Sequence, residues 1–110
     1  MKAITAALLL SLSTMAFAQL TPEQIAGSRA AAAKGEAWAQ FNLAGMYYQG
    51  KGVPEDNVMA YMWINLAAAQ GFKPAKKNKD IVKERMAPAQ IAEAQTLGRE
   101  CLANDYKDCG

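Results

Sequence analysis

The 110-residue chain contains no histidine, and beyond residue 18 its only serine is Ser28. A Ser-His-Asp or Cys-His catalytic arrangement of the usual form is thereby excluded, because each needs an imidazole to carry the proton. Two cysteines without a histidine also fall short of a four-ligand zinc shell, so no metal centre is expected. No Gly-Lys-Ser/Thr phosphate loop occurs. Gly50-Lys51-Gly52 sets two glycines around a lysine and reads as a turn that stops a helix. No cofactor is expected. A large excess of one charge is missing too: 12 Lys+Arg against 10 Asp+Glu leaves +2, and +1 once Lys2 is set aside. Nothing in that balance favours nucleic acid.

Long hydrophobic runs are confined to the first residues. Met1-Lys2 supplies a positive start, Ala6 to Leu12 is mostly apolar, and Ala16-Phe17-Ala18 fits a small-x-small cleavage pattern. The run is too short to span a bilayer and has no polar face to show solvent. It reads as a secretory signal over residues 1–18, cleaved after Ala18, leaving a domain over 19–110 without a membrane span. The expected location is the periplasm, or outside the cell. A domain of this size buries only about 60–65% of its unfolded surface, so it needs dense helix packing, a covalent staple, or both.

The richest pattern lies between Ala31 and Gly71. From Glu36, Ala39, Leu43 and Tyr47 recur at a spacing of four and share one helix face. From Asn57, Ala60, Trp63 or Ile64, Ala67 and Ala68 do the same. Between them Gly50 can close a helix in the left-handed conformation, Pro54 cannot continue one, and Asp56 or Asn57 can cap the next. The pattern predicts an αα-hairpin in which alanines allow close backbone approach while Tyr47 and Trp63 fill the remaining volume.

These residues resemble a Sel1-like repeat, a relative of the tetratricopeptide helix pairs. The resemblance is carried by Ala31, Ala32 and Gly35, then Ala39, Gln40, Leu43, Tyr47, Gly50, Gly52, Val53 and Asp56, then Ala60, Trp63, Ala67, Ala68 and Gly71. One position departs: the family glycine after Leu43 is Ala44 here, with Gly45 one place later. The match covers about two-fifths of the chain and implies an all-α, right-handed superhelical αα-hairpin array. It implies one complete repeat over about 36–71, flanked by capping helices.

Outside the repeat, Thr21-Pro22-Glu23-Gln24 forms a capping box with proline at the first helical position. The helix it starts should run to Lys34 and stop at Gly35. Its Ala31, Ala32 and Gly35 match Ala67, Ala68 and Gly71, as in the second helix of a truncated preceding repeat. Gly27 stands where Trp63 would, so this helix should contribute less core. Behind the repeat, a helix is expected over Pro74 to Met86 with Ala75, Val82 and Met86 inward. A last helix should begin at Pro88 with Ile91, Ala94, Leu97 and Cys101 inward. Together they form a capping region over about 74–103, followed by a tail over 104–110. Cys101 and Cys109, with seven residues between them, are most simply one disulfide in an oxidising compartment, worth about 2.5 kcal/mol in the chain-entropy model. Two free or intermolecularly paired thiols are the alternative. The spacing also resembles that of disulfide-rich exported Sel1-like proteins.

Candidate chemistry is sparse. Asp80 and Glu84 lie four apart on one helix face, as paired carboxylates of glycosidases can, but Lys76, Lys77, Lys79 and Lys83 surround them as in an ordinary solvated face. The aromatic residues offer more. Trp38, Phe41, Gly45 and Tyr48 fall at i, i+3, i+7 and i+10, a stripe distinct from the repeat positions and notched at Gly45. It could bind a partner through Trp38, Phe41 and Tyr48, or pack on the first helix or on Ile91 and Leu97. The resemblance implies a non-catalytic protein–protein adaptor with an unidentified partner in the cell envelope. An alternative is a peptidoglycan-associated binding protein or weak β-lactam- or peptidoglycan-acting enzyme, as for some exported relatives. A homo-oligomer that stacks repeats across protomers is a structural reading.

Overall fold

Five helices form the computed structural model of the chain, which describes residues 20–110; the expected leader over residues 1–18 lies outside them. The helices are α1 (Pro22–Ala33), α2 (Ala37–Gln49), α3 (Asn57–Ala69), α4 (Lys73–Lys83) and α5 (Pro88–Ala103). Among the described residues there is no strand, and the fold is the expected all-α series of αα-hairpins.

Local chemistry sets the boundaries. At the start of α1 the Thr21 hydroxyl accepts from the Gln24 N–H, and Gln24 Oε1 accepts from the Thr21 N–H. Asp56 caps α3 by accepting from the Met59 N–H at 3.1 Å. Pro88 opens α5, with Gln90 Oε1 accepting from the Ala87 N–H. Gly50 ends α2 at φ +68, a conformation glycine adopts without a Cβ penalty.

Repetition along the chain is visible in the turns. After α1 the Gly35 N–H donates to Ala32 O and the Glu36 N–H to Ala31 O. After α3 the Gly71 N–H donates to Ala68 O and the Phe72 N–H to Ala67 O. Both are the paired hydrogen bonds that satisfy the last carbonyls of a helix closed by a left-handed glycine. Thus α1 relates to α2 as α3 relates to α4, and α1 has the turn of a second repeat helix.

The core follows the repeat positions. Ala39, Leu43, Ala60, Trp63 and Ala67 are 0–2% exposed, and Tyr47 and Ala68 are also buried. Ala44, at the family's glycine position, is accommodated within that core at 1% exposure. Behind the repeat, Ala75, Val82, Ala94 and Cys101 are buried, with Ile91 and Leu97 partly buried against them. One boundary differs from expectation. The α4 helix ends at Lys83 rather than Met86, and Met86 reaches the core from the turn that follows. Pro88 is the reason: it forces Ala87 into extended backbone (ψ 154°), so the chain must leave the helix a few residues earlier.

Candidate functional site

The outer face of α2 carries the aromatic stripe, and α4 divides it. Trp38 stands 50% exposed at the first turn. Phe41 is partly buried against Phe72, with ring centroids 5.5 Å apart and planes tilted by 51°. Tyr48 lies beneath Arg85, whose Cζ is 3.9 Å from the ring centroid. The same guanidinium donates from Nη1 to the Tyr48 carbonyl at 3.4 Å, serving one of the carbonyls left open at the end of α2. The packing partners of Phe41 and Tyr48 are thus Phe72 and Arg85 at the two ends of α4, not Ile91 and Leu97. Of the three anchor residues named from the stripe, Trp38 has the most open surface.

Gly45 marks a second feature. A Cβ placed there would meet nothing within 4 Å, so the backbone of α2 forms the floor of an open groove. The groove encloses about 750 Å³, with Leu20 and Ser28 on the α1 side and Phe41, Gly45, Met46 and Gln49 on the α2 side. Its far end is the Gly50-Lys51-Gly52 turn, held against α1 by Ile25, which lies where a Cβ on Gly52 would have to go. Gly27, on α1, likewise has no neighbour within 4 Å and stands exposed.

Beneath this face lies a polar link that periodicity does not show. Gln40 is fully buried; its Nε2 donates to Ala32 O at 3.3 Å, and its Oε1 accepts from Gln70 Nε2 at 2.9 Å. Gln70 Nε2 also donates to Gly35 O at 2.8 Å. The ends of α1 and α3 are thereby fastened to the first turn of α2.

On the opposite side, Cys101 and Cys109 are joined, with Cα atoms 5.3 Å apart. The tail they secure turns back over α1, α2 and α3, and Tyr106 lies where a Cβ on Gly35 would have to go. A cavity of about 390 Å³ remains beneath the tail, lined by Arg29, Leu43, Trp63, Tyr106, Asp108 and Cys109 among others.

Among the described residues no group of three or more acidic, cysteine or histidine side chains is placed to hold a metal ion. Nor is any described helix long and apolar enough to cross a membrane.

A hairpin with buried alanines, Trp63 at its centre and left-handed glycines at its turns defines a helical-repeat scaffold. Its type follows from comparison: the family model of the Sel1 repeat matches residues 39–72, so this helix pair is a Sel1 repeat. The chain is also similar to the alginate biosynthesis protein AlgK of Azotobacter vinelandii, at 33% identity over 80 residues. That stretch is 72% of this chain and 17% of the relative, so the chain spans about a sixth of that protein's length. No solved structure matches significantly.

Proposed function

We propose that the protein is a non-catalytic interaction module of the cell envelope that holds a protein partner along the α1–α2 groove, with exposed Trp38 as an anchor. The observation that carries this reading is the pairing of a half-exposed tryptophan with an open groove on the same helix. Tryptophan contributes large contact area at low conformational cost and is enriched among residues that dominate binding energy. Phe41 and Tyr48 follow it along the same stripe, already positioned by Phe72 and Arg85, and a pre-ordered side chain loses less entropy on binding. Export to the periplasm is supported by the leader pattern of residues 1–18 and by a disulfide that suits an oxidising compartment. The likeness to an alginate biosynthesis protein suggests a partner in exopolysaccharide production.

A second reading rests on a separate surface. Lys73, Lys76, Lys77, Lys83 and Arg85 are exposed along and just beyond α4, with Asp80 and Glu84 as the acidic residues there. That excess of positive charge suits an acidic polymer such as peptidoglycan.

Two variants separate the readings. Trp38→Ala removes the anchor, and Gly45→Leu puts a side chain into open space where it blocks the groove. Both should melt at or above the parental temperature, because neither touches the core. In cross-linked periplasmic extracts, the partner captured by the parent protein should be lost by both. Undiminished capture by both variants sinks the groove reading, and binding to purified peptidoglycan that survives both but fails after Lys76→Glu/Lys83→Glu establishes the second.

A further inference from the structure

The tail over residues 104–110 is held in an unusual way, and the two cysteines that hold it differ in access. We propose that the Cys101–Cys109 disulfide is a thiol-addressable clasp: exchange with a dithiol at Cys109 frees the tail and opens the seam between α1, α2 and α3, leaving the helices in place.

Three observations converge. Asp105, Tyr106 and Asp108 take left-handed backbone at φ 56°, 62° and 56°. The turns after α1, α2 and α3 place glycine in that conformation, whereas the tail uses two aspartates, which tolerate it, and Tyr106, whose bulk resists it. Such a segment persists only where its surroundings over-determine it. Those surroundings are the disulfide, the Tyr106 N–H to Cys101 O bond at 2.8 Å, the Asn104 Nδ2 to Lys107 O bond at 2.8 Å, and Tyr106 against Gly35.

Second, the tail covers residues at the centre of the repeat. Leu43 and Trp63 line the cavity beneath it, together with Tyr106, Asp108 and Cys109. Trp63 Nε1 is buried with no hydrogen-bond partner. A buried donor without an acceptor is a penalty of the closed state that entry of water would relieve. Release of the tail is therefore opposed by lost packing and favoured by relief of backbone strain and of this donor. The covalent bond decides the balance.

Third, Cys101 is 3% exposed on the inner face of α5, whereas Cys109 is only partly buried. An incoming thiolate therefore reaches the Cys109 sulfur. It forms a mixed disulfide there as the S–S bond breaks, and Cys101 departs as a thiolate that takes a proton from water. The second thiol of the dithiol then attacks its own partner sulfur and releases Cys109 as a thiol. The dithiol is oxidised by two electrons and the clasp is reduced by two.

The test uses Trp38→Phe, which leaves Trp63 as the sole tryptophan, in the chain from Gln19. Treatment with dithiothreitol should yield two titratable thiols, shift Trp63 emission to the red and raise its quenching by acrylamide, while far-UV circular dichroism keeps its helical signal. The Cys101→Ser/Cys109→Ser variant should show the open signature without reductant. Glutathione trapping followed by peptide mapping should place the adduct on Cys109. Two free thiols with unchanged Trp63 emission would mean that the tail stays docked, and loss of helix together with the emission shift would make the bond a staple of the whole fold. Either result overturns the clasp, as does an adduct on Cys101.

Discussion

Two successive second helices, α1 and α3, share an ending and differ in the middle. Both close through the same pair of hydrogen bonds, from Gly35 and Glu36 in one case and from Gly71 and Phe72 in the other. At the central position α3 carries Trp63, 2% exposed, while α1 carries Gly27 with empty space around it. The same turn geometry thus follows a buried aromatic in one helix and an exposed, sparsely packed position in the other. The turn therefore sets where helices go, and the residue at the central position differs in how much core it supplies.

The largest effect that would break this comparison is at Trp63. Trp63→Ala should destabilise the protein by about 3–5 kcal/mol, through lost burial and the cavity left behind. In a domain this small that is most of the available stability. Urea denaturation followed by circular dichroism would measure it. A loss below about 1 kcal/mol would mean that the core closes without its aromatic, and that α1 and α3 do not differ for the reason given.

Gln40 is next. Gln40→Ala removes the bonds to Ala32 O and Gln70 and should cost about 1–3 kcal/mol. Gln70→Ala should cost less, because its side chain is exposed and Gly35 O can turn to water. The two should be non-additive, since each substitution removes the same hydrogen bond between them. Full additivity in the same denaturation assay would show that the bond between Gln40 and Gln70 carries no energy of its own.

How far these features could be read in advance depended on the range of the interaction that sets them. Helix starts at Thr21, Asp56 and Pro88 and the stop at Gly50 obey chemistry within four residues, so each boundary stood where the sequence placed it. The end of α4 departs from the periodicity: Met86 fits the helical spacing, yet its inward position comes from a turn imposed by Pro88. The partners of the aromatic stripe lay beyond any local rule. Arg85 meets Tyr48 across 37 residues, and nothing around either residue announces the other. Gln40 occupied a recognisable repeat position, but its role depends on Gln70, 30 residues away. Tyr106 against Gly35 is a longer step still, from the tail to the first turn. The scaffold is local and legible; the features that make its surface particular to this chain are not.

The smallest effect is also the one with an opposite sign. Gly27 lies in the middle of α1, is exposed, and has nothing within 4 Å of where a Cβ would be. Glycine inside a helix costs about 0.5–1 kcal/mol relative to alanine, because the unfolded chain loses more freedom on ordering. Gly27→Ala should therefore raise stability by about that amount, with no change in the core. The gain should appear in the midpoint of urea denaturation with an unaltered slope. It should also leave partner capture by Trp38 unchanged, since a methyl group is too small to close the groove. A larger residue sharpens the point: Gly27→Leu has room on the α1 side and should fill part of the space that Trp63 fills behind α3. If Gly27→Leu stabilises beyond Gly27→Ala while weakening capture, the space beside α1 is binding volume left by one missing side chain. If it neither stabilises further nor weakens capture, the openness of the groove has another origin, and Gly27 marks only a helix position under little packing demand.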